Sequence, residues 1–501
     1  MEYRELRSSA KKNIIILIGL ILFIGCALRI NHLASNNVEK NISYNWWEEA
    51  AAVKIVTLKQ GDKYSYAHPI SIEPKTLNRQ LDTIKAEGFQ AIEIFAPSAG
   101  LYAYNGLDPT DHYNIDSYLG DMDDFRELVD IVHQKGLVVT VFYNIGYFSL
   151  ESPDWIKACE DRNSVQAKWF WWADSASADP PQLDTYFNWS KESFGEGDDT
   201  WGWQYNELAG RYYWSRWKTQ DKNGNWVGLP QNNWMNPEWP EEAARIIKHW
   251  MDTGIDGMII DAPIFYAGCT WENNKKYITD IISSYSNKMV LSEAARHVPW
   301  IVRGNYNSMM DYGLHRWNDR WNWDNNSIEY AIDTGDPRPI EQSLHSNHDV
   351  IVSAGGSLYK RTVSANKYNN VSKKYLYVAT LAAIGDIVAY GRISGSPEPE
   401  ETWILKTKYA HKALHQLASR KKLRTNSDDK YFAFIKTAKD GSEQILTILN
   451  YQNSTQSIIV DLENIFSGNL LDLKNNSFIR VDGKSLIIEL PAYGYKYFKL
   501  L

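Results

Sequence analysis

Cysteines are scarce in this sequence, and basic residues form no cluster. Three cysteines in 501 residues are too few for a disulfide framework, and none has the close paired spacing of a zinc site. The 53 Lys and Arg residues are outnumbered by 61 Asp and Glu residues, which gives a net charge of -8. Proteins that bind nucleic acids use clustered Lys and Arg side chains to neutralise the phosphates. Because this sequence has no such cluster, it argues against a nucleic-acid partner. Internal repeats and low-complexity tracts are also missing, which excludes repeat folds and a disordered chain.

Long apolar runs are missing too, except for one near the N-terminus. Basic residues precede an apolar run at residues 13–28, which is short for a membrane-spanning helix of about 20 residues. The run resembles an export signal, and residues 22–26 resemble a bacterial lipobox in which Cys26 carries the lipid. Cleavage near Ala27 and retention as a signal anchor are the alternatives. All three possibilities predict that residues 1–40 are not part of the folded domain. They also predict that the rest of the chain is exported and held at the cell envelope, with the membrane as a partner.

Aromatic residues, in contrast, are abundant. The chain has 21 Trp and 31 Tyr, with clusters at residues 169–172 and 317–323. Flat aromatic rings fill protein cores, and they also stack on the apolar faces of sugar rings. Core packing is the simpler interpretation of any one tryptophan, but the density makes a carbohydrate ligand a hypothesis.

Residues 41–420 alternate short apolar runs with stretches of helical periodicity, a pattern typical of repeated βα units. For example, the helical pattern at residues 75–88 precedes an apolar run at 91–95. A doubly wound sheet and a (β/α)8 barrel both fit this rhythm. Polar residues at the ends of successive strands favour the barrel, because catalytic groups of barrels lie at the carboxyl ends of the strands.

Two regions break the rhythm. Residues 148–230 are irregular and rich in Trp, Gly, Asp and Asn, which predicts a functional insertion after the third strand. Residues 421–501 read as short alternating strands separated by turns, which predicts an antiparallel β-sandwich domain. The predicted fold class is therefore α/β, a TIM barrel with an inserted subdomain and a C-terminal β domain.

Acidic residues follow the predicted strands of the barrel. Asp261 and Glu293 each end an apolar strand, and Asp349 comes about two βα units later. A carboxylate at the end of a buried strand lowers the stability of the fold unless water solvates it, and it is otherwise kept for a functional role. A retaining glycosidase uses such a set: one carboxylate attacks the anomeric carbon and a second carboxylic acid protonates the leaving oxygen. Any one of these acids alone is more often a helix cap or a solvated charge.

The acids belong to motifs that occur in a recognisable order. The motifs are Trp-Trp at 46–50, an Asp-containing loop at 106–116, Asn-Trp-Met-Asn-Pro-Glu within 232–238, the Asp261 strand at 254–262 and Asn-His-Asp at 347–349. Together they resemble the α-amylase family of retaining glycosidases, and most of all its α-glucosidase and oligo-1,6-glucosidase branch, over about residues 46–501.

The resemblance implies roles for individual residues. By it, Asp261 is the nucleophile, Glu293 the acid/base and Asp349 the stabiliser of the transition state. His348 would donate a hydrogen bond to a sugar hydroxyl, and Asp111 would help to hold the nonreducing-end sugar. The implied activity is hydrolysis of an α-linked oligo- or polysaccharide by double displacement through a covalent glycosyl-enzyme.

The sequence also departs from the family pattern. The family's arginine two residues before the nucleophile is Ile259 here, which removes a cation that keeps the nucleophile ionised. Phe142 and Tyr147 stand where the family has an aspartate and a histidine, and Gly146 replaces an asparagine that often binds calcium. Asn144 and Tyr147 are the candidates for contacts with sugar hydroxyls. We predict no metal site and no cofactor.

Two functions fit these observations. The first is an exported hydrolase with a remodelled sugar-binding site, which could also transfer the glycosyl group to a sugar instead of water. The second is a noncatalytic relative, either a sugar-binding surface protein or a membrane-anchored partner subunit like the amylase-like heavy chains of amino-acid transporters. The three retained acids favour the first, whereas the missing arginine and the N-terminal apolar run favour the second.

Overall fold

Eight parallel strands form a closed barrel in the computed structural model. The first strand pairs with both the second and the eighth, so the sheet has no open edge among these strands. The barrel strands, in chain order, are Ala52–Thr57, Ala91–Phe95, Val138–Tyr143, Gly257–Ile260, Met289–Ser292, Ser308–Met310, Ser357–Arg361 and Ile387–Tyr390. The predicted (β/α)8 barrel is confirmed, and the doubly wound alternative is excluded because such a sheet stays open.

The structure describes most of the chain from residue 45 onwards. The described ranges are 45–58, 67–100, 107–181, 202–220, 225–293, 304–310, 327–345, 349–353, 356–361, 368–391, 396–462 and 468–501. Residues 1–40 lie outside these ranges, and with them the predicted lipidation site Cys26. No helix within the described ranges is long and apolar enough to cross a membrane.

Helices connect the strands and pack on the outside of the barrel. The helix Pro74–Ala86 shows why they form: Glu73 caps its first backbone N–H groups, and Leu77, Leu81 and Ile84 lie on one buried face. The longer helices are Pro74–Ala86, Met122–Gln134, Pro153–Glu160, Glu238–Met251, Ser327–Thr334, Arg338–Ser343, Val371–Ile384 and Pro399–Ala410. Short helical segments are Trp46–Glu49, Gln166–Trp169, Pro263–Phe265, Trp271–Asn274, Lys275–Thr279, Asp280–Ser283, Asp349–Ser353 and Lys412–Leu414.

The interior of the barrel is apolar and tightly filled. Every second residue of a strand points inward, and these side chains form a separate buried cluster that includes Val53, Ile55, Phe95, Phe142, Ile259 and Leu291. The outward-facing residues join the larger core beneath the helices. A functional site must therefore lie at one end of the barrel, above or below this packed layer.

The insertion after the third strand is a small antiparallel sheet. Its described strands are Trp172–Ala173, Gly202–Asn206, Arg211–Gln220 and Trp226–Pro230. Single bridges join Tyr147 to Gln231 and Phe170 to Asn232, so the end of the insertion pairs with the chain that leaves the third strand. These contacts place the inserted sheet beside the carboxyl end of the third and fourth barrel strands.

The C-terminal region forms two antiparallel sheets. Its strands are Ser419–Leu423, Tyr431–Thr437, Gln444–Asn450, Gln456–Asp461, Gly468–Asp472, Phe478–Val481, Ser485–Leu490 and Tyr495–Leu500. A buried apolar cluster lies between them, with Ile448 and Phe498 from one sheet and Ile458 and Leu490 from the other. The complete fold class predicted from the sequence is confirmed.

Candidate active site

Asp261 and Glu293 lie side by side at the carboxyl end of the barrel. The fourth and fifth strands pair in register up to Ile260 and Ser292, and the two acids are the next residues on each strand. Each acid is two residues beyond an inward-facing residue, so both side chains point to the barrel axis. Neighbouring strands are about 4.8 Å apart. The structure thus brings together two of the three predicted carboxylates.

Hydrogen bonds hold these two residues in place. The backbone N–H of Glu293 donates to the carbonyl of Ile260 at 3.0 Å, and that of Asp261 donates to the carbonyl of Tyr143 at 2.9 Å. The N–H of Ala262 donates to Oε2 of Glu293 at 3.1 Å. The Glu293 carboxylate is therefore directed towards the fourth strand, at the residue that follows Asp261.

The turn after Asp261 has an unusual backbone. Ala262 has a φ of 39°, in the left-handed region that non-glycine residues rarely adopt, and it leads into the short helix Pro263–Phe265. The next residue, Tyr266, donates its hydroxyl hydrogen to the Asp261 carbonyl oxygen at 2.5 Å. Such strain persists only where the surroundings impose it, so the turn is a rigid support for Asp261.

Gly146 makes room for the tyrosine of this turn. A Cβ atom at Gly146 would lie 2.3 Å from the Tyr266 ring, and that ring is stacked on Trp234 with 5.4 Å between the ring centroids. The asparagine that the family has at this position would not fit beside Tyr266. Gly146 departs from the family pattern in the sequence, whereas Tyr266, 120 residues further along, has no local signal there.

The inserted sheet contributes two side chains to the same turn. Arg216 donates from Nη1 to the Phe265 carbonyl at 3.3 Å, and Gln231 donates from Nε2 to that carbonyl at 2.6 Å. The Arg216 guanidinium also lies 4.5 Å from the centre of the Phe265 ring. Both side chains are buried. The sequence carried no local signal for either, because the contacts join the insertion to the barrel.

Tyr147 is buried between the insertion and the barrel. Its hydroxyl accepts hydrogen bonds from Nε1 of Trp217 and, at 3.5 Å, from Nε2 of Gln231. Burial raises the pKa of Tyr147 well above its usual value, so the hydroxyl is neutral at physiological pH. The residue is 1% exposed. Its predicted contact with substrate stays a prediction.

Asn144 continues the third strand towards the same rim. Its Nδ2 donates to the Leu107 carbonyl at 2.5 Å, and its Oδ1 accepts from the Gly146 N–H at 2.8 Å. The carboxamide is thus already engaged with backbone groups on both sides. These bonds give Asn144 a structural role at the rim, while its predicted role in binding sugar stays untested.

Asp111 lies on the strand Pro109–Ile115, above the second barrel strand. Its carboxylate accepts from the Tyr113 N–H at 2.7 Å and from Nδ2 of Asn114 at 2.8 Å. The neighbouring His112 is buried, which lowers its pKa to about 4 and keeps it neutral. Its Nδ1 lies 3.0 Å from the Tyr143 hydroxyl. His348, the other predicted sugar contact, lies outside the described residues.

Asp349 does not lie with the other two acids. It begins the short helix Asp349–Ser353, which precedes the seventh barrel strand instead of following it. Its carboxylate pairs with Arg420 of the C-terminal domain at 2.8 Å. Arg420 is the cross-strand neighbour of Lys436, whose Nζ donates to the Ile384 carbonyl just before the eighth strand. These contacts place Asp349 at the amino end of the barrel, and they correct the expectation that three carboxylates meet at one rim.

The interior below the rim explains two of the departures from the family pattern. Ile259 is fully buried in the apolar cluster, and Phe142 stacks on Phe95 with ring centroids 4.8 Å apart. A further acid, not among the predicted site residues, lies deeper in the barrel: Glu93 is buried in the second strand and accepts the hydroxyl hydrogen of Tyr359. Strand pairing places Glu93 at the same height in the barrel as Thr140, Gly257 and Met289. Gly257 precedes Asp261 by four residues on the fourth strand, so Glu93 lies two inward-facing positions below Asp261. An acid at an inward position of an otherwise apolar strand was the available signal.

Metal ligands are not grouped in the described part of the chain. Within it, no three His, Cys, Asp or Glu side chains are arranged to bind a metal ion.

Comparisons with known proteins agree with this geometry. The family model for the catalytic domain of alpha-amylase matches residues 75–299, a range that contains Asp261 and Glu293. A probable oligo-1,6-glucosidase 2 from Bacillus subtilis (strain 168) is 31% identical over 218 residues, which is 43% of this chain and 35% of that protein. An oligo-1,6-glucosidase from Parageobacillus thermoglucosidasius is 23% identical over 216 residues, again 43% and 35% of the two chains. The matched part thus spans about a third of the length of these curated relatives.

Solved structures share the fold over nearly the whole chain. An alpha-amylase from H. orenii has a TM-score of 0.68 at 16% identity and covers 90% of this chain and 100% of its own. A trehalose-6-phosphate hydrolase from Bacillus licheniformis has a TM-score of 0.67 at 14% identity and covers 91% and 100%. The resemblance to the α-amylase family is confirmed.

Proposed function

We propose that this chain, whose residues 75–299 match the alpha-amylase catalytic domain, is a retaining α-glycoside hydrolase that acts on an α-linked oligo- or polysaccharide. The observation that carries the proposal is the pairing of Asp261 and Glu293 on adjacent strands, in register and facing the barrel axis. Retaining enzymes need carboxyl groups about 5 to 5.5 Å apart, whereas inverting enzymes need about 6.5 to 9.5 Å. Neighbouring strands about 4.8 Å apart suit the shorter distance.

In the proposed reaction Asp261 attacks the anomeric carbon while Glu293 gives its proton to the departing glycosidic oxygen. The bond from the anomeric carbon to that oxygen breaks, and a bond to the Asp261 carboxylate forms. Glu293, now ionised, takes a proton from water, and the resulting hydroxide displaces Asp261. A second sugar in place of water would give transglycosylation through the same intermediate.

The rigid turn after Asp261 supports this role. A nucleophile acts efficiently when the protein holds it in its reactive position before the substrate binds. The Tyr266 hydroxyl holds the Asp261 carbonyl, and the Ala262 N–H holds the Glu293 carboxylate. Both acids are thereby fixed through the same short segment, which limits changes in their separation.

One observation favours a noncatalytic alternative. Asp349, which by resemblance stabilises the transition state, is held by Arg420 at the other end of the barrel. A chain whose described residues bring Asp261 and Glu293, but not Asp349, to the rim could bind sugar without cleaving it, or serve as a partner subunit of a membrane protein. This alternative predicts saturable binding of oligosaccharide, or co-purification with a membrane protein, without turnover.

A panel of α-linked oligosaccharides distinguishes the two functions. The purified protein is incubated with each sugar, and the released products are measured alongside those from Asp261→Asn and Glu293→Gln variants. Turnover by the wild type that both substitutions abolish supports the hydrolase, and retention of the anomeric configuration in the first product supports double displacement. Equal residual rates in all three proteins would overturn it.

We also propose that the apolar run at residues 13–28 exports the chain and keeps it at the cell envelope. The support is the order of basic residues, apolar run and Cys26 in the sequence. Growth with a labelled fatty acid, followed by mass measurement of the mature N-terminus, tests it. Label that disappears in Cys26→Ala indicates a lipoprotein, an unlabelled full-length chain in the membrane fraction indicates a signal anchor, and a full-length chain in the cytoplasm contradicts export.

A further inference from the structure

Two strands of the barrel are followed by the same strained Ala-Pro turn at the carboxyl end. Ala96 follows the second strand and precedes Pro97, with a φ of 44°. Ala262 follows Asp261 and precedes Pro263, with a φ of 39°. Alanine has no polar side chain to stabilise the left-handed conformation, and a residue before proline is restricted further. Strain of this kind persists only where the surrounding structure imposes it, and it concentrates at functional sites.

The two turns differ in the group that the alanine N–H binds. The Ala96 N–H donates to the Phe142 carbonyl at 2.9 Å, which continues the backbone pairing with the third strand. The Ala262 N–H instead donates to Oε2 of Glu293 at 3.1 Å, a side-chain oxygen at the end of the fifth strand. The turn after Asp261 therefore binds the carboxylate of the proposed acid/base directly through its backbone.

The peptide group between Asp261 and Ala262 is held at both of its polar ends. Its N–H binds Glu293, and its carbonyl oxygen accepts the hydroxyl hydrogen of Tyr266 at 2.5 Å. The Phe265 N–H donates to the carbonyl of Ala262 itself at 2.9 Å, which closes the turn on the other side. Because a peptide group is planar, rotation of this group would weaken both of its hydrogen bonds at once. The direction of the Ala262 N–H is therefore set by the turn.

A fixed N–H group at this place affects proton transfer by Glu293. In the proposed reaction the neutral carboxylic acid becomes a carboxylate as its proton moves to the glycosidic oxygen, which leaves as a hydroxyl group. A hydrogen bond to a carboxylate is stronger than a hydrogen bond to the neutral acid. The Ala262 N–H therefore interacts more strongly in the transition state than before it, and such interactions accelerate the step. This holds whichever other groups contact Glu293.

We propose that Ala262 is a positioning residue for the acid/base: its left-handed backbone directs an N–H group at Oε2 of Glu293 and stabilises the carboxylate that forms as the proton leaves. This inference rests on the proposed hydrolase function. Ala262 acts through its backbone, so its methyl group contributes only by being small enough for the turn. The strain at Ala262 is in this view retained because it places a hydrogen-bond donor beside the acid/base.

The test is the replacement of Ala262 by lactic acid in the full chain, by nonsense suppression. Lactic acid has the same methyl group, but an ester oxygen takes the place of the N–H. Two substrates are compared: an α-linked oligosaccharide that the wild type cleaves, whose leaving group needs a proton, and the glycosyl fluoride of the released sugar, whose fluoride leaves without one. The value of kcat/KM covers the steps up to departure of the leaving group, so it reports this difference.

The two substrates should respond differently to the ester. General acid catalysis contributes about 10²–10⁴-fold, so we expect kcat/KM for the oligosaccharide to fall about ten-fold or more, and kcat/KM for the fluoride to change less than about three-fold. The ratio of the fluoride value to the oligosaccharide value, the leaving-group ratio, therefore rises. A structural role alone would lower both values equally and leave this ratio unchanged.

Three matched variants separate the N–H group from other effects. Lactic acid in place of Ala96 removes the N–H of the other Ala-Pro turn, which binds a backbone carbonyl, and should leave the leaving-group ratio unchanged. Tyr266→Phe removes the bond to the Asp261 carbonyl, an acceptor that the ester at position 262 also weakens. It should slow both substrates alike, because both reactions need the nucleophile. Ala262→Gly keeps the N–H and readily adopts the left-handed conformation, so it should keep the wild-type ratio.

A second measurement does not depend on the ester. Circular dichroism and thermal unfolding show whether each protein folds. If the Ala262 ester does not fold, isotopically labelled alanine is incorporated into the wild type and into Glu293→Gln. The amide-proton signal of Ala262, identified by its loss in Ala262→Gly, should move in Glu293→Gln because its acceptor loses the negative charge, while the signal of Ala96 should stay. An unmoved Ala262 signal would overturn the proposed role.

The outcomes separate this inference from the function on which it rests. A leaving-group ratio that rises in the Ala262 ester, and not in the Ala96 ester, Tyr266→Phe or Ala262→Gly, supports the role of Ala262. Wild-type turnover with an unchanged ratio in the Ala262 ester, or with equal rises in both esters, overturns that role and leaves the hydrolase standing. Absence of wild-type turnover refutes the hydrolase itself and, with it, this role.

Discussion

Acidic residues have different neighbours at the two ends of the barrel. At the carboxyl end, Asp261 and Glu293 lie next to each other, and backbone N–H groups and the Tyr266 hydroxyl hold them in place. At the amino end, Asp349 is paired with a buried arginine, Arg420, which also binds Glu341. Carboxylates kept beside one another can do chemistry, whereas the Asp349 carboxylate is held by a guanidinium away from that pair and stabilises the fold.

The amino end is also where the barrel meets the C-terminal domain. Lys436 and Lys408 are buried there, and each donates hydrogen bonds to backbone carbonyls: Lys436 to Ile384 and His415, and Lys408 to Ala50 and Leu414. Burial lowers the pKa of Lys408 to about 7. Lys436 thus joins the C-terminal domain to the barrel through fixed carbonyl partners, whereas Lys408 binds carbonyls within the barrel region. The difference between the ends predicts that substitutions at one end change turnover and substitutions at the other change stability.

The largest expected difference is between Asp261→Asn and Asp349→Asn. Asp261→Asn should lower kcat on the order of 10³-fold or more, as loss of a catalytic group does, with little change in the free energy of unfolding. Asp349→Asn should leave kcat within a few-fold of the wild type and lower the free energy of unfolding by about 1–3 kcal/mol, because Arg420 loses a charged partner. Steady-state kinetics and urea unfolding of the same preparations measure both effects.

Glu341→Gln is the matched control for Asp349, since it removes the second acid bound by Arg420. It should resemble Asp349→Asn in stability and in activity. If Asp349→Asn abolished turnover with unchanged stability while Glu341→Gln remained active, Asp349 would be catalytic after all, and the contrast between the two ends would be wrong.

The second prediction concerns pH and the amino end. The folded-state pKa of Lys408 is about 7 and its ordinary value is 10.5, so between these values the unfolded chain binds more protons than the folded one. The free energy of unfolding should therefore rise with pH between about 7 and 10, by ~2–4 kcal/mol from this residue. In Lys408→Met that rise should be smaller. Urea unfolding at several pH values gives the difference between the two proteins.

Lys406→Met provides the comparison on the same helix, because Lys406 is exposed. It should keep the full wild-type rise in stability over this pH range. If Lys408→Met had the same pH profile of stability as the wild type and Lys406→Met, the Lys408 amine would not titrate in this range. Water would then reach the amino end of the barrel more readily than the structure indicates.

The third prediction concerns the close contact at the carboxyl end. Gly146→Ala places a Cβ atom 2.3 Å from the Tyr266 ring, so the ring or the strand must shift. We expect a loss of about 1–3 kcal/mol in the free energy of unfolding and a lower kcat, because Tyr266 holds the carbonyl of Asp261. The double variant with Tyr266→Ala should recover part of the stability. A fully stable and active single variant would show that the turn has more freedom than proposed.

The sequence predicts what depends on local periodicity and on motif order. The alternation of apolar runs and helical patterns predicts the barrel, and the acids at the ends of two apolar strands predict the pairing of Asp261 with Glu293. The same reasoning fails at Asp349 because the seventh strand, Ser357–Arg361, carries Lys360 and Arg361 and lacks an apolar signature. The seventh strand begins eight residues after Asp349, so this acid precedes the strand instead of following it.

Long-range packing is what the sequence could not supply. Arg216 reaches Phe265 only because the insertion pairs with the chain beyond the third strand. Gly146 matters because of a ring 120 positions later in the chain, and nothing in the spacing of these residues predicts their contact. The departures from the family pattern at Ile259 and Gly146 are visible in the sequence. The side chains that pack against these two residues are visible only in the structure.

The smallest expected effect sharpens the account of the turn. Tyr266→Phe keeps the ring that stacks on Trp234 and removes only the hydroxyl, which donates to the Asp261 carbonyl and accepts from the Ile145 N–H at 3.4 Å. Loss of these bonds should lower the free energy of unfolding by about 1 kcal/mol. If the bond also positions the nucleophile, kcat should fall by more than KM changes, because the reactive geometry is affected while sugar contacts are kept. Tyr113→Phe, which removes a hydroxyl bonded to Glu242 away from Asp261, should reduce stability by a similar amount and leave kcat unchanged. If Tyr266→Phe and Tyr113→Phe had equal effects on kcat and KM, the Tyr266 hydroxyl would have a structural role only.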